Sequence, residues 1–492
     1  MGGSESERES FNRCPQRHFV SNPSCLSSKV WLRLHRGHVT VKDIVEALCS
    51  VGQLRYYRED PIFDAYACFD TAAGRLTAVT TDEFARAAAT ANRRTAGTAD
   101  GIERSDGPGV TVFTGTTRET STRFPRRIYF QITRNCNLRC PYCFLKSRPG
   151  LPHVPAEAVL PMAAFLGHSG LMEVRLTGGE PTTHPDFFAI LDEFRARDVY
   201  VSVATNGLLS QQVLDGLAER QNLWLICSVD GNRETHNRYR PDLFDRIMGN
   251  LRYLKQKSPA IRLRLTAVLT RRNKDQIRDL AEIARAVDAE SVTVIPLRPQ
   301  VRDPSVKDEM VTAAEFRRVL EAMVEASEQL GVRMTTTLAT DFESRIHPDP
   351  IVRKRGACAA GREATNLDYD VGRGTFLVYG CSYSPAPDLD SPAAIRRPFL
   401  AGEFPADRPE ELLRVWRDDA AWAIYRDNSF KSADCQQCGY YTRLQCVGSC
   451  PIQNVDYESI DVDADVVEQL RTQLSQTAEW YCYKRLAECG GS

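Results

Sequence analysis

A chain of 492 residues with 42% hydrophobic residues is long enough for two or three domains with buried cores. Its 63 basic and 64 acidic side chains leave a net charge of −1, which provides no global field to draw it to nucleic acid or anionic lipid. No apolar run reaches the ~18 to 20 residues of a membrane helix, and the polar start MGGSESERES is unlike a secretory signal. A cytoplasmic protein with no membrane and no nucleic-acid partner is expected. Met1-Gly2 with Ser6 fits the loose myristoylation pattern, which is short enough to match by accident. The 16 cysteines are too few for a disulfide scaffold, but they are clustered: three at Cys136, Cys140 and Cys143, and four from Cys435 to Cys450. Without an export signal, such clusters read as metal ligation before disulfides.

Residues 1 to 40 are polar and irregular. Residues 41 to 95 read as a small α+β region: the helical VKDIVEALCSV, three short alternating segments (LRYYRED, AYACFDT, RLTAVTT), then the helix TDEFARAAATA capped by Thr81 or Asp82. Residues 96 to 123, rich in Gly, Thr and Ser, form a linker. From 124 to 340, strand-like and helix-like runs alternate. The strands are RIYFQIT, EVRLTG, YVSVAT, WLICSV, RLRLTAVL and SVTVIPL; the helices include DFFAILDEFRARD, SQQVLDGLAERQ and KDQIRDLAEIARAV. That order predicts an α/β fold, a parallel sheet or partial barrel with functional residues at the carboxyl ends of its strands. Residues 341 to 492 lose the alternation and read as a loop-rich region organised around metal.

The strongest signal is Cys136-Asn-Leu-Arg-Cys140-Pro-Tyr142-Cys143, directly after the first strand. Three thiolates on one loop can hold three irons of a [4Fe–4S] cluster and leave the fourth open. A closed zinc site would need a fourth ligand nearby, which the loop lacks. This loop resembles the C-x3-C-x-aromatic-C hallmark of the radical S-adenosylmethionine (SAM) enzymes. The resemblance implies a partial (β/α)6 barrel whose open iron chelates SAM. Reductive cleavage of SAM would then release a 5′-deoxyadenosyl radical that abstracts hydrogen from substrate.

Further motifs agree. Gly178-Gly179-Glu180-Pro181 ends the second strand and resembles the motif that meets the SAM amino group in that family. Glycines admit close backbone approach, and a carboxylate can complement an ammonium. By the same resemblance Tyr142, Asn206, Ser228 and Asp230 contribute to SAM binding. Ser228 and Asp230 share one strand face by alternation, leaving Cys227 as a core thiol. The run Glu234-Thr-His236-Asn-Arg238-Tyr-Arg240 resembles an H-x-x-x-R-like segment of peptide-modifying members, in which Arg238 would meet a carboxylate; an exposed helix start is the alternative.

The carboxyl-terminal set Cys358, Cys381, Cys435-x2-Cys438-x7-Cys446-x3-Cys450 and Cys482 resembles the SPASM extension of radical SAM enzymes, which carries two auxiliary clusters. Two spacings differ from the family pattern, at Gly374–Cys381 and Cys438–Cys446, as small insertions that keep ligand order. A zinc ribbon of the four central cysteines would leave Cys358, Cys381 and Cys482 unused. The resemblance implies three [4Fe–4S] clusters in all. Cys435, Cys438, Cys446 and Cys482 would hold the farther auxiliary cluster, and Cys358, Cys381 and Cys450 the nearer. The nearer one lacks a fourth cysteine; Cys489, Asp349, His347 or an open site remain as alternatives. Residues 41 to 95 weakly resemble the peptide-recognition domain of peptide maturases, which adds a leader peptide as an edge strand. The expected substrate is a ribosomally made peptide to be crosslinked, epimerised or oxidised, with flavodoxin or ferredoxin as reductant. The alternatives are a small molecule such as a sugar or aminocyclitol, or a non-catalytic iron–sulfur carrier or zinc protein.

Overall fold

The computed structural model describes residues 124–476 apart from 126, 170, 172, 198, 221–222, 299–300, 337–358, 363, 385–392, 439–449 and 453, together with residue 482. The expected amino-terminal regions lie outside these residues, as do Cys358, Cys446, Cys489, Asp349 and His347.

The six expected strands form where the alternation placed them: β1 (Arg127–Thr133), β2 (Glu173–Gly178), β3 (Tyr200–Thr205), β4 (Leu223–Ser228), β5 (Arg262–Leu269) and β6 (Ser291–Pro296). Each pairs in parallel with the next. A seventh, β7 (Arg333–Thr336), extends the series beside β6. The connections run through α1 (Ala156–His168), α2 (Phe187–Arg195), α3 (Gln211–Ala218), α4 (Arg233–Tyr239), α5 (Phe244–Lys257), α6 (Ile277–Ala286) and α7 (Ala313–Leu330). One set of alternate strand residues, including Ile128, Phe130, Ile132, Val174, Leu176, Val201 and Val203, is fully or almost fully buried in a core shared with Met162, Leu166, Ile190 and Phe194 of the helices. Helix α7 starts on a capping box, in which Thr312 and Glu315 satisfy each other's backbone N–H groups.

The carboxyl-terminal region is more ordered than a loop-rich reading allows. It contributes β8 (Ala364–Asp370), β9 (Thr375–Tyr379) and β10 (Leu400–Pro405). Strand β8 runs parallel to β1 on the side away from β2, and β9 and β10 follow antiparallel, so one ten-stranded sheet runs β10-β9-β8-β1-β2-β3-β4-β5-β6-β7. The strand β8, ATNLDYD, places Asn366 and Asp368 in burial, and such polar residues hide a strand from a hydrophobicity pattern. Among the described residues, no helix is long and apolar enough to cross a membrane.

Candidate active site

Because β1 to β6 are parallel, their carboxyl ends share one edge of the sheet, and the loops leaving that edge meet there. The Cys136–Cys143 loop leaves β1. The Cys136 thiol is 9% exposed, and Cys140 and Cys143 are half-buried. The loop turns tightly, with the Cys143 N–H donating to the Cys140 carbonyl at 3.2 Å and the Cys136 N–H to the Arg148 carbonyl at 3.3 Å. Burial pushes the Cys136 thiol up to about 12, with Glu180 and the other two thiols acting in the same direction, and burial also raises Cys140. Burial thus favours the protonated Cys136 and Cys140 thiols, whose protons iron binding would release. Among the described residues, no three His, Cys, Asp or Glu side chains gather into a group that could hold a metal ion. A cubane distributes its cysteines over separate irons, so a donor set of three thiols on one loop fits a [4Fe–4S] cluster.

The glycine pair at the end of β2 is required by the protein itself. Gly178 has φ +136°, and a Cβ on either glycine would lie 2.1 Å from a carbonyl oxygen, that of Thr133 for Gly178 and of Asn135 for Gly179. This contact lets the Gly179 N–H reach the Thr133 carbonyl at 2.9 Å and the Glu180 N–H the Asn135 carbonyl at 2.8 Å, tying the end of β2 to the root of the cysteine loop. Glu180 is fully buried. Its carboxylate accepts from the Asn206 N–H at 2.7 Å, the Thr205 hydroxyl at 2.9 Å, and the Thr182 hydroxyl and N–H at 2.6 and 3.3 Å. Burial raises its pKa while those donors lower it. Glu180 therefore ties the ends of β2 and β3 together. Asn206, half-buried at the end of β3, donates through Nδ2 to Asn137 Oδ1 at 2.7 Å and lies 3.8 Å from the Cys136 sulfur.

Tyr142 turns inward from the loop. Its hydroxyl donates to Asp230 Oδ2 at 2.5 Å and accepts from Arg240 Nη2 at 2.9 Å, while Arg240 Nε stands 3.3 Å from Asp230. All three are buried, and Arg240 also donates to the Ser228 carbonyl at 3.1 Å. The sequence run left Arg238 either to meet a carboxylate or to lie exposed on a helix, and that residue is exposed. Arg240 lies one helical turn beyond His236, so both face inward where Arg238 does not. The period-four spacing of His236 and Arg240 was the signal for this. The His236 Nδ1 accepts from the Asp230 N–H at 3.2 Å, its ring is fully buried, and burial followed by the Arg240 cation lowers its pKa to about 4. Ser228 is half-buried at the end of β4, and Cys227 is a buried core thiol, as expected.

Nothing in the sequence marked the segment after β6. Tyr142 and Tyr239 pack with Leu297, Val301, Val306 and Met310, and Arg302 Nε donates to the Cys140 carbonyl at 3.2 Å. This segment braces the loop from the far side of the sheet.

Of the carboxyl-terminal cysteines, Cys435 is buried on a short helix capped by the Ser432 hydroxyl, and the Cys438 N–H donates to the Cys435 carbonyl at 3.0 Å. Cys381 and Cys450, distant in sequence, both lie near the buried phenols of Tyr425 and Tyr457. Burial holds those phenols above the usual tyrosine range, and both thiols act in the same direction. Cys482 is half-buried.

Residues 130–284 match the model of the Radical SAM superfamily. The chain is 28% identical over 346 residues to the AdoMet-dependent heme synthase of Methanosarcina barkeri, covering 66% of this chain and 91% of that protein. It is 27% identical over 333 residues to the mycofactocin maturase MftC of Mycolicibacterium smegmatis, covering 66% and 78%. The fold is similar to that of Streptococcus suis SuiB, whose structure with S-adenosylmethionine superposes with a TM-score of 0.53 at 19% identity over 68% of this chain and 75% of SuiB. SuiB has also been solved with its precursor peptide SuiA.

Proposed function

Because the chain belongs to the radical SAM enzymes, we propose that it modifies a ribosomally made peptide by hydrogen abstraction, with Cys136, Cys140 and Cys143 holding the cluster to which SAM binds. When bound, the reduced cluster and SAM supply a 5′-deoxyadenosyl radical. The observation that carries this reading is the presence of three thiols on the loop from β1, which is tied to the ends of β2, β3 and β4. The half-buried groups at that edge, Gly179, Asn206 and Ser228, are the ones a SAM molecule would touch. Glu180, Tyr142 and Asp230 act one step back: Glu180 fixes the Asn206 backbone, and Asp230 with Arg240 anchors Tyr142 and through it the loop.

Two auxiliary clusters complete the reading, one on Cys435, Cys438, Cys446 and Cys482 and the other on Cys358, Cys381 and Cys450 with an open fourth position. The likeness to a mycofactocin maturase, and to the fold of a protein solved with a precursor peptide, supports a peptide substrate. Reduced flavodoxin or ferredoxin in the cytoplasm would supply the electron. The test is anaerobic reconstitution followed by a SAM-cleavage assay, with and without short peptides encoded beside the gene. Formation of 5′-deoxyadenosine and a mass change in one peptide are expected. Absence of 5′-deoxyadenosine under reducing conditions would overturn the enzyme reading. Cleavage without any modified peptide would reassign the substrate to a small molecule.

A further inference from the structure

Barrel contacts fix Asn135 and the middle of the cysteine loop: Asn135 Nδ2 donates to the Thr183 hydroxyl at 2.9 Å, Tyr142 is anchored on Asp230, and Arg302 holds the Cys140 carbonyl. Two further residues, one on each side of the loop, reach into the carboxyl-terminal region instead. Arg134, two residues before Cys136, forms an ion pair with Asp368 of β8, and the two side chains are 7% and 2% exposed. Phe144, directly after Cys143, packs on Tyr383 with ring centroids 4.8 Å apart and planes tilted by 44°. Arg298, just past β6, stacks on the same Tyr383 ring at 4.3 Å. Tyr383 in turn belongs to the Cys381 turn, with its N–H directed to the Cys381 sulfur at 3.4 Å.

We propose that the Arg134–Asp368 pair and the Phe144–Tyr383 stack form a two-point clasp through which the carboxyl-terminal region sets the geometry of the Cys136–Cys143 loop. Asp368 and Tyr383 are then positioning residues for the cluster on that loop, although neither is one of its ligands. The inference rests on the reading of Cys136, Cys140 and Cys143 as cluster ligands. The physical reason is entropic. A cubane demands three thiolates at fixed separations, and each loop residue left mobile must be ordered when iron binds. A loop held at both ends before iron arrives has less to lose, which is preorganisation applied to a metal site. Coupling of this kind is reciprocal, so filling the loop with iron tightens the clasp in turn.

The test uses the full chain, reconstituted anaerobically, with Tyr383→Ala, Tyr383→Phe and Asp368→Asn. SAM is proposed to bind the cluster of the Cys136–Cys143 loop, so the part of the EPR signal that responds to SAM, and that is lost when Cys136, Cys140 and Cys143 are replaced with Ala, reports this cluster separately from the others. Tyr383→Ala should lower that signal about threefold at limiting iron, the factor that loss of one aromatic pair corresponds to. Tyr383→Phe should restore it. Amide hydrogen exchange of residues 136–144 in the metal-free protein should be faster in Tyr383→Ala and unchanged in Tyr383→Phe. Asp368→Asn should have a larger effect; should it fail to fold, the Tyr383 pair still decides. A SAM-responsive signal and loop exchange both unchanged in Tyr383→Ala would overturn the clasp. A wild-type protein with no SAM-responsive signal would instead overturn the parent reading, and the exchange measurement would still judge the clasp.

Discussion

Glu180 has no exposed surface, and its carboxylate accepts four hydrogen bonds from Thr182, Thr205 and Asn206. Glu180→Ala should therefore destabilise the fold by about 1–3 kcal/mol, the cost of orphaning buried donors. It should weaken SAM binding through the released Asn206 backbone while the iron content stays unchanged. Denaturant unfolding and a SAM titration measure the two effects, and unchanged stability would show that the carboxylate is not the tie between β2 and β3. The motif told that this position matters; burial told how, and burial is not written in a tetrapeptide. His236 gives a second expectation at this scale. Its folded pKa of about 4 lies below the ordinary histidine value of 6.5, chiefly from burial and then from Arg240, with Asp230 opposing. The unfolded chain takes up the proton first as pH falls. Stability from this residue is thus fully present above pH 6.5 and is lost progressively down to pH 4, by about 3 kcal/mol in total. His236→Gln should flatten that slope, and unfolding curves between pH 4 and 7 would reveal it. An unchanged slope would place the titration elsewhere.

Strands with one face in a helix-covered core announce themselves by alternation, which is why β1 to β6 were legible from sequence almost to the residue. Strand β8 was not, because Asn366 and Asp368 carry polar side chains into burial to meet Gln131 of β1 and Arg134 just past it. Its partners could be recognised only once β1 was in place. The glycines at the end of β2 show the same dependence. They were legible as a motif, but the close approach of the backbone of residues 133–135 that they permit was not. Gly179→Ala would place a methyl group 2.1 Å from the Asn135 carbonyl, so the end of β2 must part from the cysteine loop. A loss of about 1–3 kcal/mol in stability is expected, as for other overpacked sites. Iron retention by the loop should fall with it. Wild-type iron content and melting in this variant would mean that the close approach is dispensable. At α7 the box itself was not foreseen, yet its chemistry is simple: Thr312→Ala should cost about 1 kcal/mol with no effect on iron.

For the molecule as a whole, the cysteine spacing carried the class of chemistry, while further braces around it came from residues with no motif: Arg302, Asp368 and Tyr383. Long-range pairs of that kind are written only in the fold. The full set of proposed clusters predicts about twelve irons per chain after anaerobic reconstitution. Replacing Cys136, Cys140 and Cys143 together with Ala should remove about four of them and all SAM cleavage. A wild-type value near four would refute the auxiliary clusters. The position of β8 also has a consequence in time. Strand β1 is flanked by β2 on one side and β8 on the other, yet β8 begins at Ala364, far downstream of Thr133. A ribosome adding roughly 5–20 residues per second needs on the order of ten seconds or more to cover that distance. Throughout that interval the nascent chain presents β1 as a bare edge, the kind of edge that recruits wrong partners. Arg134 meanwhile waits for its carboxylate. Under the proposed clasp, the loop would acquire its final shape only late in synthesis, and iron delivery would follow translation of the carboxyl-terminal region rather than accompany that of the barrel.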